Sequence, residues 1–258
     1  MAVSGLRRVA VRVAPERLEE MRARLLQLVP EGFEEAEGDG VVELAAYVEA
    51  GTESRLRDAL GPVEATPVPE GWEHRWRAFH RPVVAGGVWV GPPWEQRPAG
   101  ALAVVVDPGL AFGTGAHATT RLCLELLATL PRGSVVDVGC GSGVLAIAAR
   151  RLGFGPVAAV DVDPVAVDAA RANAAANGVE LEVRLLDATA EPLPTADVVL
   201  ANVSLSVVEQ ALARSSAPVA VASGYLVGER PAAPGWSQRA RRALDGWAAD
   251  LLARTGAL

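Results

Sequence analysis

Val135-Val136-Asp137-Val138-Gly139-Cys140-Gly141-Ser142-Gly143-Val144-Leu145 decides the fold of this chain. An apolar strand runs into a glycine-rich turn that opens directly into a helix. A second apolar strand, Val157–Val160, ends on Asp161, 22 positions after Gly139. Glycine lets the backbone approach a ligand and take angles that other residues resist. The helix start aims free N–H groups at the ligand, and an acid at the end of the next strand accepts hydrogen bonds from ribose hydroxyls. Together they form a physical recipe for holding a nucleoside.

The spacing leaves two cofactor classes open. A dinucleotide site carries Gly-x-Gly-x-x-Gly, with its third glycine inside the helix. Here the order is Gly139-x-Gly141-x-Gly143, position 144 is valine, and Asp137 lies on the strand itself. That variant resembles the S-adenosylmethionine site of class I methyltransferases more than an NAD site.

Downstream, apolar strands and helical stretches alternate: Ser134–Val138, Val144–Leu152, Val157–Val160, Pro164–Ala176, Leu181–Leu186, Val198–Ala201, Leu205–Ala213 and Pro218–Ala222. Such alternation predicts a parallel sheet with crossover helices, a doubly wound α/β fold. Ligands of these folds bind outside the carboxyl ends of the strands. Gly139, Asp161, Asp187 and Asn202 all fall there. Asp187 is a candidate for an adenine amino group or a simple loop cap, and Asn202 offers an amide. Arg239–Leu244 and Trp247–Leu252 read as a closing hairpin around Asp245-Gly246.

Upstream, Leu102–Val106 is a strand. The segment from Asp107 to Thr120, rich in glycine and small polar residues, leads into a helix over Thr119–Leu130. Thr119 or Thr120 stands where an N-cap belongs. Phe112 and His117 are candidates for the reacting end of the site. Residues 69–100 hold Trp72, Trp76, Phe79, Trp89 and Trp94 among prolines and glycines, and read as an aromatic-rich connector. Residues 1–68 give strand–helix–strand–strand–helix–strand, the order of a ferredoxin-like sandwich, with Thr52 as the cap of its second helix.

Composition suits an enzyme with a sizeable core: of 258 residues, 50% are hydrophobic and the formal net charge is −7. That charge opposes non-specific nucleic-acid binding. No stretch is apolar for long enough to cross a bilayer, the first residues lack a secretory pattern, and Cys123 and Cys140 do not suggest a disulfide scaffold. A cytoplasmic location and no metal are the expectations.

Several segments resemble one family specifically. Asp107-Pro-Gly-Leu-Ala-Phe-Gly-Thr-Gly-Ala-His117-Ala-Thr-Thr120, the run from Asp137 to Ala148, Asp161-Val-Asp-Pro164, Val199-Leu-Ala-Asn-Val203 and the Trp72-x-x-x-Trp76-x-x-Phe79 connector look like the PrmA family. The resemblance implies a class I (Rossmann-like) S-adenosylmethionine-dependent methyltransferase fold over residues 101–258, behind a small ferredoxin-like substrate-recognition domain over residues 1–68. It implies methylation of lysine and N-terminal amino groups on a large-subunit ribosomal protein; no direct nucleic-acid contact and a monomer are further expectations. With the glycine turn, it places cofactor binding on Thr120, Gly139, Gly141, Asp161 and Asn202. No residue stands out as a general base. The tail departs from the family pattern, because the stretch from Ser223 to Gly235 is too short and too rich in proline and glycine for the helix expected there.

Overall fold

A computed structural model describes residues 6–29, 33–38, 40–68, 81–107 and 115–256. The chain divides into two compact units, Met1–Phe79 and His80–Leu258.

In the first unit, β1 (Leu6–Val13) leads through a 3-10 turn, Pro15–Arg17, into α1 (Leu18–Leu28). β2 (Glu34–Gly38), β3 (Val41–Glu49), α2 (Glu53–Leu60) and β4 (Glu64–Pro67) follow. The strands form an antiparallel sheet in the order β2-β3-β1-β4, the expected ferredoxin-like sandwich. Strand alternation separates its faces. Val9, Val11, Val13, Leu44, Ala46 and Val48 pack with Met21, Leu25, Leu56 and Leu60. On the other face, Arg8 and Arg12 reach Glu43 at 2.6 and 3.3 Å, and the Tyr47 hydroxyl donates to Glu34 at 2.6 Å. Thr52 makes no side-chain cap on α2. Glu53, already inside the helix, instead accepts the Gly51 N–H at 2.6 Å.

The second unit opens with a feature that the sequence reading missed. Part of the expected connector is sheet: β5 (Val83–Ala85) and β6 (Val88–Gly91) form a hairpin through Gly86 and Gly87, and β7 (Leu102–Val105) joins β6 in parallel. Strands of three and four residues are too short to display a period. Trp89 is buried at β6, whereas Trp72, Trp76 and Phe79 lie outside the described residues.

The main sheet comprises β8 (Val135–Val138), β9 (Val157–Asp161), β10 (Glu182–Leu185), β11 (Val198–Asn202), β12 (Val219–Leu226), β13 (Trp236–Leu244) and β14 (Trp247–Arg254). Their order is β10-β9-β8-β11-β12-β14-β13. The first five in that order are parallel, and β14 and β13 complete the sheet antiparallel. The fold is doubly wound α/β, and the chain order reverses between β8 and β11. On one face, α3 (Ala118–Leu127), α4 (Val144–Arg151) and α5 (Pro164–Ala176) bury Leu122, Leu126, Ile147 and Ala170. On the other, α6 (Leu205–Arg214) buries Val208 and Leu212.

No helix lies between β12 and β13. Irregular chain takes its place: Ala233 and Trp236 pack into the α6-side cluster, the Trp236 indole N–H donates to Leu212 O at 3.2 Å, and the Ala232 N–H donates to Glu209 at 2.7 Å. At the same edge Asp250, 1% exposed, accepts from the Tyr225 hydroxyl at 2.8 Å and from Arg241 at 2.9 Å. Arg241 also donates to the carbonyls of Val227 and Glu229, holding the irregular segment to the sheet.

Candidate functional site

The turn after β8 stands where the strand order reverses, the usual ligand crevice of an open α/β sheet. Gly139, Gly141 and Gly143 all have positive φ, at 64°, 52° and 79°. The Gly139 and Cys140 N–H groups both donate to Val160 O, and the Gly143 N–H donates to Cys140 O at 2.8 Å. A Cβ on Gly139 would lie 2.3 Å from Val203 Cγ1, so the turn presses directly on the residue after β11. Asp137 points beneath α4 and accepts the Ala146 N–H at 3.0 Å. It is a buried cap for a helix whose own N-cap, Gly143, has no side chain to offer. Burial pushes its carboxyl up to about 7, against the Ala146 hydrogen bond and with a smaller contribution from Asp161.

Asp161, the last residue of β9, accepts the Gly141 N–H on one oxygen at 2.9 Å and the Asp163 N–H on the other at 3.0 Å. A carboxylate has about four acceptor positions, so both oxygens retain capacity after these bonds. Val162 and Val165 beside it are exposed apolar residues. From the last position of β11, the Asn202 amide donates to Thr120 Oγ1 at 3.3 Å, where Thr120 is buried in the first turn of α3.

The cap of α3 differs from expectation. His117 is the N-cap: its Nδ1 accepts the Thr119 N–H at 3.4 Å and lies 2.8 Å from Thr119 Oγ1. Thr119 and Thr120 are inside the helix. The imidazole also meets Trp247 edge-on, with ring centroids 4.9 Å apart. Burial holds its pKa below the ordinary histidine value, although Asp245 pulls the other way. A neutral ring is what an acceptor at a helix N-terminus requires. Asp187 caps its own loop, accepting the N–H and hydroxyl of Thr189 at 2.8 and 2.6 Å.

Of the expected cofactor positions, Gly141 is hydrogen-bonded to Asp161 and Asn202 to Thr120, while Gly139 packs its turn against Val203, the residue after Asn202. Phe112 and Gly113 lie outside the described residues. The sequence reading did not anticipate Asn173 of α5 and Asn177 at its C-cap. Asn173 is 3% and Asn177 6% exposed, and their amides bond to the backbone of the glycine turn and of β7. Asparagine disfavours helix interiors because its side chain competes for backbone groups. Asn173 inside an alanine-rich helix was the available signal, whereas Asn177 before Gly178 reads as an ordinary helix end.

Residues 34–228 match the family profile described as ribosomal protein L11 methyltransferase (PrmA). The chain belongs to the PrmA family. Relatives bearing that name include one from Symbiobacterium thermophilum, 52% identical over 146 residues that cover 54% of this chain and 47% of that protein. Another, from Pelotomaculum thermopropionicum, is 40% identical over 219 residues, covering 75% of this chain and 71% of that one. The crystal structure of a ribosomal protein L11 methylase from Lactobacillus delbrueckii subsp. bulgaricus superposes with a TM-score of 0.59 at 28% identity, over 65% of this chain and 95% of that one. The match to several PrmA relatives spans only about half of their length, 47% and 48% in two cases. This PrmA chain carries the class I methyltransferase fold. Among its described residues, no helix is long and apolar enough to cross a membrane, and no group of His, Cys, Asp and Glu is placed to hold a metal ion.

Proposed function

We propose that this chain is an S-adenosylmethionine-dependent methyltransferase that methylates lysine and N-terminal amino groups of ribosomal protein L11. The observation that carries the reading is the paired contacts of Gly141 with Asp161 and of Asn202 with Thr120 at the carboxyl ends of β8, β9 and β11. The residues fit the cofactor. Gly139 and Gly141 keep the turn free of side chains, Asp161 offers acceptors to ribose hydroxyls, and exposed Val162 and Val165 give apolar surface beside it for a base. Asn202 commits an amide hydrogen to Thr120, which leaves its carbonyl oxygen to face an amino group. Bound there, the cofactor supplies a methyl group activated on a sulfonium.

The chain's own task is then alignment and desolvation. Holding the acceptor nitrogen in line with the methyl group supplies much of the rate. A lysine amine has a reference pKa of about 10.4, and a crevice that withholds water favours its neutral, nucleophilic form. In this reading the oxygen of Asn202 orients that amine. Replacing Asn202 by Ala should lower turnover, cofactor affinity or both, and a variant equal to the parent in both would refute the assignment. The net charge of −7 favours a protein over a nucleic acid as partner, and a monomer acting in the cytoplasm is part of the proposal. Incubation with labelled S-adenosylmethionine and ribosomal protein L11, read by mass spectrometry, tests the whole. Label on lysine or the N-terminal amine supports it; cofactor binding with label only on a small molecule, or nowhere, sinks the choice of acceptor.

A further inference from the structure

Asn173 in the last turn of α5 and Asn177 at its C-cap are both buried and four residues apart, yet they hold different things. The Asn177 side chain serves β7. Its Oδ1 accepts the Val105 N–H at 2.8 Å, and its Nδ2 donates to the Val105 carbonyl at 2.6 Å and to the Asn173 carbonyl at 2.8 Å. One amide thus replaces a rung of sheet for that strand residue. The Asn173 side chain serves the glycine turn. Its Nδ2 donates to the Ser142 carbonyl at 2.9 Å, and its Oδ1 accepts the Asp107 N–H at 3.5 Å.

The Ser142–Gly143 peptide is therefore held from both sides: its carbonyl by Asn173 and its N–H by the Cys140 carbonyl. Fixing this peptide fixes the direction of the N–H groups around it, including that of Gly141, which meets Asp161. Helix α5 also crowds the turn, since a Cβ on Gly143 would lie 3.1 Å from the Ala170 Cβ. The same Asn173 amide reaches Asp107, the first residue of the segment that ends on His117 and Thr120. A single side chain, 3% exposed, therefore bonds both to the glycine turn and to the backbone two residues past β7.

We propose that Asn173 is a positioning residue for the cofactor site, setting the glycine turn through Ser142, whereas the Asn177 side chain serves β7 and the end of its own helix. The inference deepens the function proposed above and rests on its cofactor assignment. Asn173 acts through the backbone that it holds.

Asn177 is an internal control. Both residues are buried at the C-terminal end of α5, and the side chain of each bonds to more than one backbone group. If both serve only stability, removing either amide should affect cofactor binding alike. The test uses the full chain and its Asn173→Ala and Asn177→Ala variants. Melting temperature is read without ligand, and the dissociation constant of S-adenosylmethionine is read by titration calorimetry. Both variants should melt a few degrees lower. Asn173→Ala should bind the cofactor about tenfold more weakly, while Asn177→Ala stays close to the parent. If Asn173→Ala does not fold, Asn173→Asp serves instead: it keeps an acceptor for the Asp107 N–H, has no donor for Ser142 when ionised, and should show the same loss. Parent-like affinity in the Asn173 variant, or equal weakening in both variants, overturns this inference alone. A parent chain that does not bind S-adenosylmethionine overturns the proposed function and this inference together.

Discussion

Asp137 is a carboxyl group in a place that disfavours its charge. It is 1% exposed, burial raises it from an ordinary value of 3.8 to about 7, and the Ala146 N–H only partly opposes that rise. Between those two values the folded chain keeps a proton that the unfolded chain has released. Raising the pH through that window therefore favours unfolding. Asn at this position matches the neutral acid in shape, still accepts from Ala146 and does not titrate. Asp137→Asn should gain melting temperature relative to the parent from about pH 4 to about pH 7 and level off above that; a difference that stays flat would show that Asp137 does not keep its proton. The glycines make a second comparison at this scale. Gly139 and Gly178 have nearly the same φ, 64° and 61°, but a Cβ meets Val203 at the first and open space at the second. Gly178→Ala should cost only the backbone strain, about 1 kcal/mol, and leave cofactor binding intact. Gly139→Ala should cost more and weaken binding. Denaturant midpoints and ligand titration measure both, and equal behaviour of the two variants would remove Gly139 from the site.

At the scale of elements, the strands and helices around the glycine turn were legible because their signals are long and regular. The helix Pro164–Ala176 has the predicted bounds, and the Asp245-Gly246 hairpin has the predicted two-residue turn, with φ of 51° and 78° at its two positions. Caps were less legible, because a cap depends on which side chain finds a free N–H in three dimensions. Thr119 and Thr120 have the residue type of a cap, but His117 performs it and Thr120 turns toward Asn202. The site positions shared this limit: a strand end marks Asn202, but its contact with a threonine 82 residues earlier has no local signature. His117 itself allows a test. His117→Ala removes the cap and should cost about 1 kcal/mol, while His117→Asn, a strong cap residue, should recover much of it. Thermal unfolding reads both. If Asn is no better than Ala, packing of the ring on Trp247, rather than the cap, is the main contribution.

At the scale of the whole molecule, the hydrophobic clusters of the described residues divide between the two units. Val9, Leu44, Leu25 and Leu56 belong to one cluster in the first unit, while the second unit buries separate clusters on the two faces of its main sheet. The missing helix does not leave the far face open, because Ala233, Trp236 and the Tyr225–Asp250–Arg241 network close it. That network holds a buried charge. Asp250→Ala would take an acceptor from both Arg241 and the Tyr225 hydroxyl, at a cost of about 1–3 kcal/mol. The loss should fall on the second unit. Units with separate cores unfold as separate cooperative transitions, so scanning calorimetry should resolve two. The residues proposed to hold S-adenosylmethionine all lie in His80–Leu258. A ligand stabilises only the form that binds it, by about 2.7 kcal/mol at a hundred times its dissociation constant. S-adenosylmethionine should therefore raise one transition and leave the other in place, and Asp250→Ala should lower that same transition. A ligand that shifts both transitions equally would mean that the units unfold as one, and a ligand that shifts only the transition insensitive to Asp250→Ala would place the cofactor in the wrong unit.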